Sequence, residues 1–250
     1  MLDMESLQGV VSQLAYPPLF VTVSGAHLYG FPSADSDVDL RGCHRLPPEK
    51  VIGLDPADHT FEHKVDHDGL EIEVVTHDVG KYLRLLVRNN GYILEQIFSP
   101  LVVTGQKFLG ELRPLALRCI TRHHYHHYRG FMATQRKLLA KQEPKRLKTL
   151  LYAYRVSLTG IHLLRTGEVE CDLGRLSAVY GFDFLPELMA QKRAELAPAV
   201  GLDWRMRDEQ LTSLEARLEK EYQSSRLPEE RDRQAINGFL VRIRLGRAGS

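Results

Sequence analysis

The stretch VSGAHLYGFPSADSDVDLRG, Val23 to Gly42, sets Asp35, Asp37 and Asp39 at alternate positions behind a glycine-bearing turn. Alternate residues of an extended segment face the same way, and like charges held together oppose one another's ionisation, so the pattern asks for a cation. With Val38 directed into a core, Asp37 and Asp39 project together from the start of a strand. Such a pair suits hard divalent cations, which take oxygen ligands and themselves hold phosphates. Gly25 would let a backbone amide approach a triphosphate closely. A third carboxylate completes a two-cation site. Glu71 and Glu73 lie on one face of a later strand and either can supply it; Glu73 is the favoured one. Asp35 is expected to stay in the loop, as a turn residue or as a partner behind the metal ligands.

Two blander uses of the same residues compete. A calcium loop needs a glycine after its third acid and a distal glutamate at fixed spacing, and both are missing here. A solvated turn, with Asp and Ser capping local amides, is the default for DSD alone. It loses force because a buried strand and a glycine turn precede the acids and a strand-like VDLRG follows them.

The elements that must position these residues are readable from periodicity. Leu7 to Leu14 forms a short leading helix that YPP at 16–18 ends, since proline lacks an amide proton. LFVTV reads as a buried strand, Gly25 and Gly30 bracket a loop, and VDLRGCH alternates as a second strand. TFEHKVDHDGL and LEIEVVT make a hairpin with Asp68-Gly69 at the turn. From Asp78 the period becomes helical. Val79, Tyr82, Leu83 and Leu86 share a core face, and Lys81, Arg84 and Arg88 share a basic one. Gly91 ends or bends that helix, YILEQIF continues helical, and PLVVTG is a short edge strand.

Beyond Gly105 strand signals nearly vanish. Lys107 to Gln142 and Arg146 to Arg165 are long helical patterns broken at Pro114 and Pro144; Leu211 to Tyr222 and Glu229 to Leu245 are charged amphipathic helices. The expected fold class is therefore α/β (α+β): residues 1–105 with a small mixed, largely antiparallel sheet, then an all-α helical domain over 106–250.

Composition narrows the function classes. The 250 residues are 43% hydrophobic and 26% charged, ordinary for a globular protein, and the net charge of +1 gives no global case for nucleic-acid binding. Three widely spaced cysteines without a CxxC pair exclude a disulfide framework and a zinc knuckle. The N-terminus carries acids where a signal peptide needs bases, and no apolar run approaches the roughly 18 residues of a membrane span. A cytoplasmic protein without membrane contact is expected; a protein partner is not specified.

In the helical half, RHHYHHYRG puts His123 and His127 one turn apart but lacks a glutamate or nearby acid, which argues against zinc. Arg122, His126, Arg129 and Arg136, with Tyr125 and Tyr128 for stacking, can instead form a nucleic-acid face, or simply a partly buried surface. On the next helix Lys145, Lys148, Tyr152, Arg155 and His162 lie opposite an apolar stripe.

SGAHLYGFPSADSDVDLRG resembles the nucleotidyltransferase signature of the DNA polymerase beta superfamily, a Gly-Ser pair followed about ten residues later by Asp-x-Asp. Together with KYLRLLVRNNGYILEQIFSPL it is similar to the branch of predicted nucleotidyltransferases associated with RNA ligases and RNA repair. The resemblance implies that Asp37 and Asp39 are the metal-binding pair, that Glu73 is the third acid, and that Gly25 is the family's glycine. Ala26 stands where serine is usual, which implies weaker or altered triphosphate binding, with Ser24, Ser36 or a lysine compensating. It implies two Mg²⁺ or Mn²⁺ ions and transfer of NMP from an NTP, ATP among the candidates, to an RNA or tRNA end. Lys81, Arg84 and Arg88 can meet the triphosphate or a polynucleotide backbone, or simply form a solvated helix face, and Lys148 and Arg155 are the candidates for a helical domain closing over the nucleotide. Two other outcomes are a protein or small-molecule hydroxyl as acceptor, and a degenerate nucleotide- or RNA-binding regulatory module.

Overall fold

The structure is a computed structural model that describes residues 2–34, 36–55, 57–67, 69–194 and 202–246. The roles expected of Asp35 and of Asp68 in the hairpin turn lie outside the described residues. The chain forms two compact units: Met1–Gly25, Asp37–Cys119 and Glu230–Ser250 make up the first, and Ala26–Ser36 and Ile120–Glu229 the second. Neither is one continuous stretch of chain.

The first unit is built on five strands, β1 (Pro18–Val23), β2 (Val38–His44), β3 (Thr60–His67), β4 (Leu70–Asp78) and β5 (Val102–Thr104), in the order β3-β4-β2-β1-β5. The β2–β4 pair is parallel and the other three pairs are antiparallel, so the sheet is mixed and largely antiparallel as expected. Alternation does the sorting. Val21, Val23, Val38, Leu40, Ile72 and Val74 turn to one face, where Leu7, Val10, Val11 and Leu14 at helix α1 (Met4–Ser12) cover them. Helix α1 starts before Leu7 because the Asp3 carboxylate accepts the Glu5 and Ser6 N–H groups. The other face carries Phe20, which meets the Tyr82 ring edge-on at 5.4 Å and stacks on Phe108 at 5.9 Å. Each such fully buried side chain contributes roughly 1.5–3 kcal/mol of transfer free energy.

Helices α4 (Val79–Leu86) and α5 (Gly91–Phe98) follow β4. Asn89 takes φ +58°, and Asn90 accepts from the Tyr92 and Ile93 N–H groups, so the break lies there and Gly91 opens the second helix. The loop expected between Gly25 and Gly30 is instead a short helix, α2 (Gly25–Tyr29), since nothing between the two glycines breaks one. Helix α3 (Glu49–Ile52) is a single turn after the Pro47-Pro48 pair.

Pro114 does not break the chain. It lies inside α6 (Gln106–Leu117), and the turn comes after Leu117, before α7 (His124–Lys141). Helix α8 (Leu147–Thr166) is the buried axis of the second unit, and Gly160 admits α7 and α11 (Trp204–Ser224): a Cβ there would meet Tyr128 Cβ at 2.7 Å and Leu218 Cδ1 at 3.1 Å. Helices α9 (Leu173–Tyr180) and α10 (Leu185–Arg193) were not expected from the sequence; Asp172 caps the first and Gly181, φ +73°, closes it.

The last helix, α12 (Arg233–Arg244), belongs to the first unit. Arg244 is bonded to the fully buried Asp78 carboxylate, which also accepts the Leu46 N–H at 3.0 Å and the Gly80 N–H at 2.9 Å. Burial pushes the Asp78 carboxyl up, but the hydrogen bonds from Arg244, Leu46 and Gly80 outweigh it and hold the group below the usual carboxylate range. Its stabilising contribution is therefore present above the unfolded carboxyl pKa and is lost as pH falls through the folded one. Arg244→Ala should cost about 3 kcal/mol at neutral pH, as when one partner of a buried pair is removed, and progressively less below about pH 4. Urea unfolding of both proteins across this range measures it; a loss that does not shrink in acid contradicts the account.

Candidate active site

Strands β2 and β4 run parallel with Val38 opposite Ile72 and Asp39 opposite Glu73. Paired residues of neighbouring strands emerge side by side about 4.8 Å apart. With Val38 and Ile72 buried, Asp39 and Glu73 must leave by the other face. Asp37 stands exposed at the entry to β2, two residues before Asp39. The structure thus brings Asp39 and Glu73 together on one sheet face, with Asp37 just before the strand and near enough to act on the Asp39 charge.

Arg41 joins them. Its Nη2 donates to Asp39 Oδ1 at 2.7 Å and to Glu73 Oε2 at 2.6 Å, and its Nη1 donates to the Glu73 carbonyl at 3.2 Å. Lys64, opposite Glu73 on β3, lies 3.4 Å from Glu71 and 3.7 Å from Glu73. Glu71 is the more exposed of the two glutamates and pairs with Lys64, whereas Glu73 faces Asp39. Arg41 has no role in the pattern read from the sequence; its position two residues beyond Asp39, on the same strand face, was the available signal.

The electrostatics are unequal. Burial pushes the Asp39 carboxyl up, Arg41 opposes it, and the neighbouring Glu73 and Asp37 charges add to the rise. Glu73 moves the other way, held down chiefly by its hydrogen bond from Arg41. The Asp39 carboxyl thus stays above its ordinary range even with the guanidinium in contact.

Gly25 completes the arrangement with φ +62°. A Cβ there would overlap Asp39 Oδ2 and lie 2.9 Å from its Cγ, so the glycine makes room for the carboxylate itself. The Ser24 N–H is already spent on the Asp39 carbonyl at 2.8 Å, which fixes the end of β1 against the start of β2.

Whether the donors suit a divalent cation can be judged from their chemistry. Three carboxylates with one under-neutralised member suit Mg²⁺ or Mn²⁺, which prefer hard oxygen ligands and keep several waters rather than a closed protein cage. Among the described residues no three acidic, histidine or cysteine side chains are drawn around a single point tightly enough to cage an ion. Asp39 and Glu73 are instead held by the guanidinium between them.

The other expected site residues fall elsewhere. In the second unit Ala26 is buried, and the Ser36 hydroxyl meets Ser33 Oγ at 3.0 Å and accepts from Lys192 Nζ at 3.1 Å. Lys192, on α10, was not foreseen, being 156 residues from Ser36 in the chain. Lys148 is exposed in the first turn of α8. Arg155, expected at the nucleotide, is instead fully buried with its guanidinium 3.9 Å from the Tyr29 ring centroid, a packing position. Lys81, in the first unit, donates to Thr60 Oγ1. The stacking face expected on α7 is consumed by α11: Tyr125 stacks on Tyr222 at 4.3 Å, Tyr128 is buried, and Arg136 is held by Asp208 and Glu215. Burial also pushes His127 down to about 4, which keeps it neutral in the core.

These features coincide with a match over residues 2–242 to the RNA repair pathway DNA polymerase beta family, and the chain belongs to that family. It is also 33% identical over 166 residues to a Methanocaldococcus jannaschii protein, covering 66% of this chain and 68% of the relative, whose name, "uncharacterized protein MJ0002", states no function. Among the described residues no helix is long and apolar enough to cross a membrane.

Gly25→Ala and Gly69→Ala separate backbone strain from the collision with Asp39. Both glycines have positive φ, +62° and +79°, but a Cβ at Gly69 meets nothing within 4 Å. The shared backbone cost is about 1–2 kcal/mol. Denaturant unfolding should show Gly25→Ala losing clearly more than Gly69→Ala; equal losses contradict the packing of Gly25 on Asp39.

Proposed function

We propose that the chain is a metal-dependent nucleotidyltransferase that moves an NMP from an NTP to a hydroxyl at an RNA or tRNA end. The observation that carries this reading is the register of Asp39 against Glu73, with Asp37 beside them and Gly25 packed on Asp39. Membership in an RNA repair pathway family supports RNA as the acceptor.

Asp37, Asp39 and Glu73 would hold two Mg²⁺ or Mn²⁺ ions. When bound, these supply an acidified acceptor hydroxyl and charge neutralisation at the α-phosphate and the departing pyrophosphate. The protein's share is positioning. Asp39 and Glu73 are fixed by two paired strands, and Arg41 holds both carboxylates facing one another so that little reorganisation remains when substrate arrives. Asp39, whose carboxyl is pushed up by burial and by the Glu73 and Asp37 charges, would be favoured in its charged form by an incoming cation. The backbone at Ser24–Gly25–Ala26 lacks the family's serine hydroxyl, so phosphate contact there would come from amides.

Incubation with labelled NTPs, Mg²⁺ or Mn²⁺ and RNA acceptors tests this. Label should join the RNA, and Asp39→Asn should slow transfer by at least about a hundredfold, the scale of several kcal/mol of lost transition-state stabilisation. Transfer that survives Asp39→Asn unchanged sinks the mechanism. Label that appears on protein with RNA omitted moves the acceptor to a protein hydroxyl while keeping the chemistry.

A further inference from the structure

Helices α4 and α12 of the first unit enclose an open groove of about 190 Å³ that the catalytic reading does not use. Leu83, Ile236 and Leu240 line it, and Arg84 and Arg233 stand at it from opposite helices beside Asn237. Gly80 permits the approach of the two helices: a Cβ there would lie 3.1 Å from Arg244 Nη2 and 3.1 Å from Asp78 Oδ1.

Charge separates these arginines from their neighbours. Arg118, Arg242 and Arg244 are each tied to an acid, Asp232, Glu111 and Asp78 respectively. Arg84, Arg88 and Arg233 are exposed, and among the described residues their side chains make no ion pair or hydrogen bond. Two uncompensated guanidinium groups beside an apolar floor, with exposed Arg88 four residues beyond Arg84, match a polyanion that alternates phosphates with flat apolar faces. A groove of this volume is below the roughly 300–1,000 Å³ of pockets that enclose a whole small-molecule ligand. It suits one base of a strand whose phosphates run along the rim.

We propose that the α4–α12 groove seats single-stranded RNA, with Arg84, Arg88 and Arg233 on phosphates and one base over Leu83, Ile236 and Leu240 beside Asn237. This rests on the reading of the acceptor as RNA and adds a holding site separate from the carboxylates. Lys81, on the same helix, is already engaged by Thr60 and is left out.

Fluorescence anisotropy with a fluorescein-labelled oligoadenylate, in buffer without NTP or divalent metal, reads the groove apart from catalysis. Arg84→Glu with Arg233→Glu should weaken binding at least about tenfold and flatten the dependence of log affinity on log salt by about 1.4, or about 0.7 for each single-strand phosphate left without its arginine. Arg84→Gln with Arg233→Gln, a milder change at two exposed positions, should give an intermediate loss with unchanged thermal unfolding. Asn237→Trp, which fills the groove, should weaken binding severalfold without changing the salt slope. Unchanged affinity in the charge-reversed protein, or no RNA binding by the wild type, overturns the proposal. So does polyglutamate bound as tightly as RNA, which would make the surface an acidic-protein site. RNA bound in the groove without any nucleotide transfer would leave this site standing and overturn the catalytic reading instead.

Discussion

The Asp39–Arg41–Glu73 bridge is the interaction on which the rest of the first unit is arranged. Two carboxylates cannot be set opposite each other on neighbouring parallel strands without a cation, because each disfavours the ionisation of the other. Arg41 meets that need from the same strand face, donating to both acids at 2.6–2.7 Å. The compensation is partial: burial and the Asp37 and Glu73 charges still hold the Asp39 carboxyl above its ordinary range. Under the proposed function these carboxylates take a divalent cation, whose usual cargo is phosphate.

The sheet supplies the rigidity this requires. Burial of Val38 and Leu40 against Ile72 and Val74 fixes the register of β2 on β4, and a slip of one residue would turn both acids into the core. On the far edge Lys64 adds charge beside Glu73. Behind the sheet, Asp78 collects Leu46, Gly80 and Arg244 and ties the last helix of the chain to the strand that bears Glu73. The terminal helix and α4 therefore share one surface of the first unit, with Arg84 in the last turn of α4 and Arg233 in the first turn of α12 at the groove between them.

Much of this was legible in the residues, for local reasons. A strand's period of two places Asp37 and Asp39 on one side of Val38, and Glu71 and Glu73 on one side of Ile72, whatever the rest of the chain does. The helical period of 79–86 likewise separates Leu83 from Arg84. What escaped depended on contacts between distant segments. Glu73 was favoured over Glu71 from the residues, but its register directly opposite Asp39, and the dual grip of Arg41 that follows from it, is set by pairing between strands. Arg155 reads as part of a basic face because helical spacing does not record that Tyr29 comes to lie under its guanidinium. The α7 tyrosines read as open for the same reason, since α11 covers them. Pro114 reads as a helix break, yet the helix runs past it and stops only at Leu117.

The central claim is that Asp37, Asp39 and Glu73 form a divalent-cation site that Arg41 only partly satisfies, and its most direct measurement is Mn²⁺ binding followed by electron paramagnetic resonance with ATP present. The account predicts protein-dependent loss of the free Mn²⁺ signal in the wild type. It also predicts that Asp37→Asn with Asp39→Asn returns the signal to that of Mn²⁺ and ATP alone, at unchanged thermal unfolding. Equal Mn²⁺ retention by the wild type and the double variant would contradict it.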